Sequence, residues 1–135
     1  MIKVYLSHSI RGKFGADATD EQMKINCDKA IAFTSLLRKK FPELDIYCPA
    51  EHDLFIVIAY RKKYLSEKQI LDVDCEIVKN CDVLFVYCPD GYLSRGMMIE
   101  IQYAQKNDIP VLILTDFMCL ENKPLIKRFL KRKLR

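Results

Sequence analysis

Apolar runs of strand length recur along the chain at Ile2 to Leu6, Leu44 to Cys48, Val83 to Tyr87 and Val111 to Leu114, and helical period governs the segments between them. Strands alternating with helices predict a three-layer, doubly wound α/β fold of flavodoxin or Rossmann type, with a mostly parallel sheet of four to five strands. Thr19 followed by Gln22 is a capping box, and Met23, Cys27, Ala30, Ile31, Thr34 and Leu37 continue a first helix that ends before Pro42. A second box, Ser66 with Gln69, opens a helix that runs to about Asn80. Between them "EHDLFIVIAYRKKYL" reads as a short helix or an ordered loop. Pro89, Gly91 and Gly96 mark a loop after the third strand that leads into a helix ending near Asn107. No repeat or linker divides the 135 residues, which fit one domain.

Two helices break their own pattern. The stripe Ile70, Asp74, Ile77 and Cys81 carries an aspartate at a core-facing position, whereas Asp72 lies on another face. Glu100 interrupts the stripe Met97, Ile101 and Ala104 in the same way. An unpaired buried carboxylate costs several kcal/mol, on the order of 3–5, so each needs a partner, a water-lined cleft or a function. In open parallel sheets ligands bind beyond the carboxyl ends of the strands, the edge at which Glu100 sits near a helix start, and the two carboxylates point inward from neighbouring elements. Burial and mutual repulsion push the pKa values of such pairs apart, the usual basis for dividing acid and nucleophile roles.

The first strand ends abruptly in "SHSIRGKFG", residues 7 to 15. Ser7 and Ser9 offer hydroxyls, Arg11 a planar fork matched to phosphate oxygens, and Gly12 and Gly15 a backbone free to approach a ligand. Ser94 and Gly96 form a second small polar loop at a helix start, another natural phosphate cradle.

Charge sharpens this picture at one end only. The net charge is +4, but from Asn122 onward there are seven basic residues and no acid, so the remainder of the chain is net −3. In that tail, a helix over about 122–135, Leu125, Ile126, Phe129, Leu130 and Leu134 fall on one side and the cations on the other. A solvated cationic face explains this arrangement more simply than a nucleic-acid or acidic-partner site. Six cysteines, Cys27, Cys48, Cys75, Cys81, Cys88 and Cys119, lack zinc spacing and mostly occupy apolar segments, as core thiols do. No apolar run is long enough for a spanning helix or a signal peptide, which predicts a soluble cytoplasmic protein.

With these pieces placed, the chain resembles the nucleoside 2-deoxyribosyltransferase superfamily, and within it the deoxynucleoside 5'-monophosphate N-glycosidases. The resemblance rests on Tyr5 followed by "SIRG" at Ser9 to Gly12, "EH" at Glu51 and His52, Asp74 ahead of Cys81 and Asp82, and "SRGMMIE" at Ser94 to Glu100. It extends from about Ile2 to Leu114 and leaves the basic tail outside. His8 stands where those glycosidases tend to have glycine, and Met98 where they have a small residue.

The resemblance implies hydrolysis of the bond between a nucleobase and C1' of a 2'-deoxyribose 5-phosphate unit. It implies Glu100 as nucleophile, Asp74 as the acid for the departing base, and Tyr5 as a residue that places the glutamate or lines the sugar pocket. Ser9, Arg11, Gly12 and Ser94 would hold the 5'-phosphate, with Ile10 and Gly96 completing the substrate-binding set. His52 would contact the base or merely cap a strand. A homodimer, no metal or organic cofactor, and no membrane or nucleic-acid partner are also implied. Other readings are base exchange by a transferase of the same family, hydrolysis of a nicotinamide nucleotide, and nucleotide sensing without turnover.

Overall fold

The computed structural model describes residues 1–114 and 123–133, so Cys119 and Leu134 lie outside the described residues. Four strands, β1 (Ile2–Ser7), β2 (Leu44–Tyr47), β3 (Val83–Tyr87) and β4 (Val111–Leu114), form one sheet in the order β2-β1-β3-β4. Every pairing is parallel, with Tyr5 opposite Tyr47 on one side and Leu84 on the other. The helices are α1 (Asp20–Lys40), α2 (Asp53–Arg61), α3 (Glu67–Lys79), α4 (Arg95–Lys106) and α5 (Lys123–Lys133). Short 3-10 turns at Gly12–Asp17 and Pro49–His52 follow β1 and β2. The segment after β2 is therefore a turn leading into a nine-residue helix.

Both sheet faces are covered because successive side chains of a strand point to opposite sides. Val4 and Leu6 of β1, with Val83, Phe85 and Tyr87 of β3, pack against Cys27, Ala30, Phe33 and Leu37 of α1 and Ile126 and Leu130 of α5. Tyr5, Leu84 and Val86 pack instead against Val78 of α3 and Met97, Ile101 and Ala104 of α4. Phe33 and Tyr87 stack at a ring separation of 4.2 Å, fixing α1 on the sheet. Each fully buried aliphatic side chain, such as Leu6, Leu37 or Leu84, contributes roughly 1.5–3 kcal/mol.

The helix ends follow local chemistry. Both capping boxes form, Thr19 with Gln22 and Ser66 with Gln69, each contributing about 1 kcal/mol. Asp20 and Glu21 at the start of α1 and Arg38, Lys39 and Lys40 at its end complement the helix dipole. Beyond α4, Asp108 adopts a left-handed φ of 57°, and the Ile109 N–H donates to the Ala104 carbonyl at 2.8 Å, which stops the helix and feeds β4.

The α1 stripe holds at Cys27, Ala30, Thr34 and Leu37, with Phe33 added to it and Met23 only half-buried, whereas the α3 stripe is corrected. In α3 the most buried positions are Cys75 and Val78, while Ile70, Asp74, Ile77 and Cys81 are half-buried along one edge of that stripe. Asp74 is thus half-buried at the margin of the α3 stripe and not at its centre.

Candidate functional site

The strand order leaves β1 between β2 and β3, so connections depart from it in opposite directions. This is the switch point at which open α/β sheets form a crevice beyond their carboxyl ends. Tyr5 and Ser7 occupy alternate positions of β1 and face α3 and α4 together. Both are fully buried, and both reach Glu100 of α4.

Glu100 is 5% exposed, and each of its carboxylate oxygens has a donor: the Tyr5 hydroxyl at Oε2 and the Ser7 hydroxyl, 2.7 Å away, at Oε1. Hydrogen bonds to a charged group contribute roughly 1.5–3 kcal/mol each, enough to hold a carboxylate that is expensive to bury. Burial still raises Glu100 to about 7; the two hydroxyls oppose that rise and the Asp74 charge adds to it. Asp74 is itself raised to about 6, mainly by burial, with the Tyr5 hydroxyl opposing. The Tyr5 phenol is pushed well above its ordinary value by burial and then by the two carboxylates. Tyr5 therefore stays protonated as a donor between two acids that titrate near neutrality.

An aromatic wall borders this cluster. The Tyr47 ring stacks on Tyr5 with centroids 5.6 Å apart, and the exposed His52 ring stacks on Tyr47 at 4.8 Å with planes 11° apart. His52 is placed by the turn that carries it. Arg38 of α1 donates to both oxygens of Glu51, at 2.8 and 2.6 Å, and to the Ile46 carbonyl at 2.9 Å. The Arg38 guanidinium in turn holds the Glu51 carboxyl below its usual range.

The glycine-bearing loop is ordered by its own contacts. The Ser9 hydroxyl accepts from the Gly12 N–H at 2.8 Å, and Asn26 of α1 donates to the Ile10 carbonyl at 3.0 Å. Gly12 has a left-handed φ of 64°, and a Cβ there would lie 2.9 Å from Asn26 Nδ2, so a larger residue would be strained and would displace the Asn26 amide. Its freedom serves the approach of loop to helix as much as any ligand. Arg11 is exposed, and no hydrogen bond or ion pair among the described residues occupies its guanidinium.

Ser94 caps α4 by accepting from the Met97 N–H at 3.2 Å. Gly96 lies in the first turn of α4 beside Leu71 of α3, where a Cβ would make an ordinary contact 3.5 Å from Leu71 Cδ2. The helix start thus presents Ser94, Gly96 and the first backbone N–H groups together.

Several functional neighbours were not picked out by motif. Ser7 belongs to the strand, not to the ligand-facing loop, and turns inward to Glu100. Its two-residue spacing from Tyr5 is the signal that would have placed it. Tyr47, Asn26 and Arg38 support the site from β2 and α1, and no local pattern marks them.

Cys27, Cys48, Cys75 and Cys88 are buried as expected. Among the described residues no group of three or more His, Cys, Asp or Glu side chains is arranged to hold a metal ion. No helix among them is long and apolar enough to cross a membrane.

No family model matches the chain, and no curated protein matches it. It is similar to the crystal structure of a conserved protein from Enterococcus faecalis V583, with a TM-score of 0.63 and 23% identity over 84% of this chain. The chain spans 62% of the length of that protein. The likeness shows the α/β fold.

Proposed function

We propose that this protein hydrolyses the N-glycosidic bond of 2'-deoxynucleoside 5'-monophosphates. The observation that carries the reading is Glu100, a buried carboxylate held between Tyr5 and Ser7 with Asp74 facing the same phenol. A hydroxyl has one proton. When Tyr5 donates it to Glu100, that proton is not available to Asp74, which burial already pushes toward the protonated acid. The hydroxyls of Tyr5 and Ser7, both donating to Glu100, support an ionised Glu100 beside a neutral Asp74, the two states that glycoside chemistry requires of its carboxyl pair. The separate values, about 6 for Asp74 and about 7 for Glu100, order the two the other way, and the proton belongs to the coupled pair.

In the first step a Glu100 oxygen bonds to C1' as the C1'–N bond breaks, and the departing base takes the electron pair of that bond and the Asp74 proton. In the second step water attacks C1', the ester bond to Glu100 breaks, and the Asp74 carboxylate takes the proton from water. Free base and 2-deoxyribose 5-phosphate leave. Ser7 and Tyr5 hold Glu100 in one rotamer during both steps, which lowers the entropic cost of attack. Ser9, Arg11, Gly12 and Ser94 form the phosphate end of the proposed site, and the Tyr47–His52 stack offers a face for the base. The same reading includes a homodimer acting in the cytoplasm, for which the exposed Leu54 and Phe55 of α2 supply an apolar surface.

The test is incubation with a panel of deoxynucleoside monophosphates, followed by mass spectrometry for free base and deoxyribose 5-phosphate. Base release that disappears in Glu100→Gln supports the reading; release unaffected by that change, or none from any nucleotide, ends it. A second base added to the mixture should not appear in a new nucleotide.

A further inference from the structure

The charge that the proposed site leaves unused is gathered on α5. Its apolar side is spent inside the protein: Ile126 and Leu130 are buried in the core, and the Phe129 ring meets Phe85 edge-on with centroids 6.4 Å apart. Lys123 is half-buried and lies over the Phe41 ring, 5.8 Å from its centre. Helical period then turns the next cations outward, and Lys127, Arg128, Lys131 and Arg132 are all exposed.

These four form two rows, Lys127 with Lys131 and Arg128 with Arg132, and within each row the residues stand about 6 Å apart along the helix. Like charges at that spacing repel. Elsewhere the chain does the opposite: Lys24 meets Asp28 at 2.7 Å on α1, and Lys68 meets Asp72 at 3.1 Å on α3. α5 contains no acid, not even in the first turn, where one would suit the helix dipole. Among the described residues no ion pair engages the four cations. The helix therefore carries a concentrated positive field on a body that is otherwise net negative.

The chemistry of this face narrows its partner. A protein partner is gripped through a patch with an apolar or aromatic centre, and an interfacial helix enters a membrane by its apolar side, which α5 has given to the core. The bases of a single strand need rings to stack on, and an RNA duplex is recognised partly through its 2'-hydroxyls. The exposed face has neither an aromatic ring for the first nor a hydroxyl or amide side chain for the second. It offers cations at regular intervals on a straight rod, which suits the phosphates of a DNA duplex, bound by charge without regard to sequence.

We propose that the exposed face of α5 docks on the phosphate backbone of duplex DNA through Lys127, Arg128, Lys131 and Arg132, without base readout. This docking is independent of the glycosidase reading. The family resemblance, with its expectation of no nucleic-acid partner, ends near Leu114 and does not reach this helix.

The experiment titrates the full chain into labelled DNA duplexes of about 20 base pairs and unrelated sequence, following fluorescence anisotropy as salt is raised. Affinity should be similar across sequences, and log K should fall with log salt at a slope of about −3 to −4, roughly 0.9 for each phosphate met by the four cations. The double variant Lys127→Gln, Lys131→Gln should reduce that slope by about two and weaken binding by roughly tenfold or more at low salt, with thermal unfolding and any base release unchanged. No binding at low salt, or a slope unchanged in the double variant, overturns the proposal. So does an RNA duplex, a single strand or a phosphatidylserine vesicle bound as tightly as the DNA duplex. DNA docking without base release keeps this proposal and removes the glycosidase reading, and base release without DNA docking does the reverse.

Discussion

The Tyr5 hydroxyl donates to Glu100 Oε2 from the strand beneath it, and with Ser7 it occupies both carboxylate oxygens from one element. The nucleophile proposed here is held by strand side chains two residues apart. Removing one of them tests the arrangement. Tyr5→Phe keeps the ring and its stacking but leaves Oε2 without a donor. Base release should fall by about 10–100-fold, and the pH at which Glu100 ionises should rise above about 7. At pH 8 the variant should be less stable by about 1–3 kcal/mol in denaturant titrations. Unchanged kinetics would remove Tyr5 from the mechanism.

Glu100→Gln should abolish turnover and stabilise the protein at alkaline pH. Glu100 is raised from 4.5 to about 7 on folding, so its contribution is fully present below 4.5 and is lost as pH rises through about 7. Asp74 acts in the same direction, from 3.8 through about 6. The wild type should therefore lose stability between about pH 4.5 and 7, and the variant should lose less, gaining on the order of 1–3 kcal/mol over wild type at pH 8. Parallel curves for the two proteins from pH 5 to 8 would show that Glu100 is ordinary in its titration.

Turnover should depend on pH as a narrow bell. The two carboxyls, at about 6 and about 7, share one proton only between those values, and the singly protonated pair is the productive form. kcat/KM should rise as the first proton leaves and fall as the second does. In Asp74→Asn the alkaline limb should vanish and Glu100 should ionise at lower pH, because the neighbouring negative charge is gone. A rate still increasing beyond pH 9 would contradict an acid role for Asp74.

The Tyr47–His52 stack bears on binding more than on chemistry. Its outer ring is exposed, so His52→Ala should leave the fold intact, changing stability by within about 0.5 kcal/mol. KM should rise by about 5–20-fold for the preferred base, consistent with roughly 1–2 kcal/mol of lost stacking, with kcat little changed. Equal losses in kcat would move His52 to the reacting centre.

Much of the fold is visible in periodicity. Both capping boxes, the four strands and the inward stripe of α4 are local patterns, and each forms where spacing places it. Asp74 and Glu100 were legible for the same reason, as charges on apolar stripes. Less visible were groups whose meaning comes from a distant partner. Ser7 reads as the first residue of a polar loop until Glu100 is brought against it, and Arg38 reads as one of three basic residues closing α1 until it grips Glu51. Gly12 suggested room for a ligand, but its small size is also used by Asn26. His8 carried no signal at all, because its partner, the Ala50 N–H, lies far along the chain.

The alternation of β1 carries a consequence for how this chain can change. Val4 and Leu6 belong to the core under α1, and Tyr5 and Ser7 to the carboxylate under α4. One residue inserted or deleted ahead of them would exchange the two sets, giving Glu100 a hydrocarbon wall and pressing two hydroxyls into the aliphatic layer. Chemistry and core are thus tied to a single parity, so β1 can be varied by substitution but not by slippage.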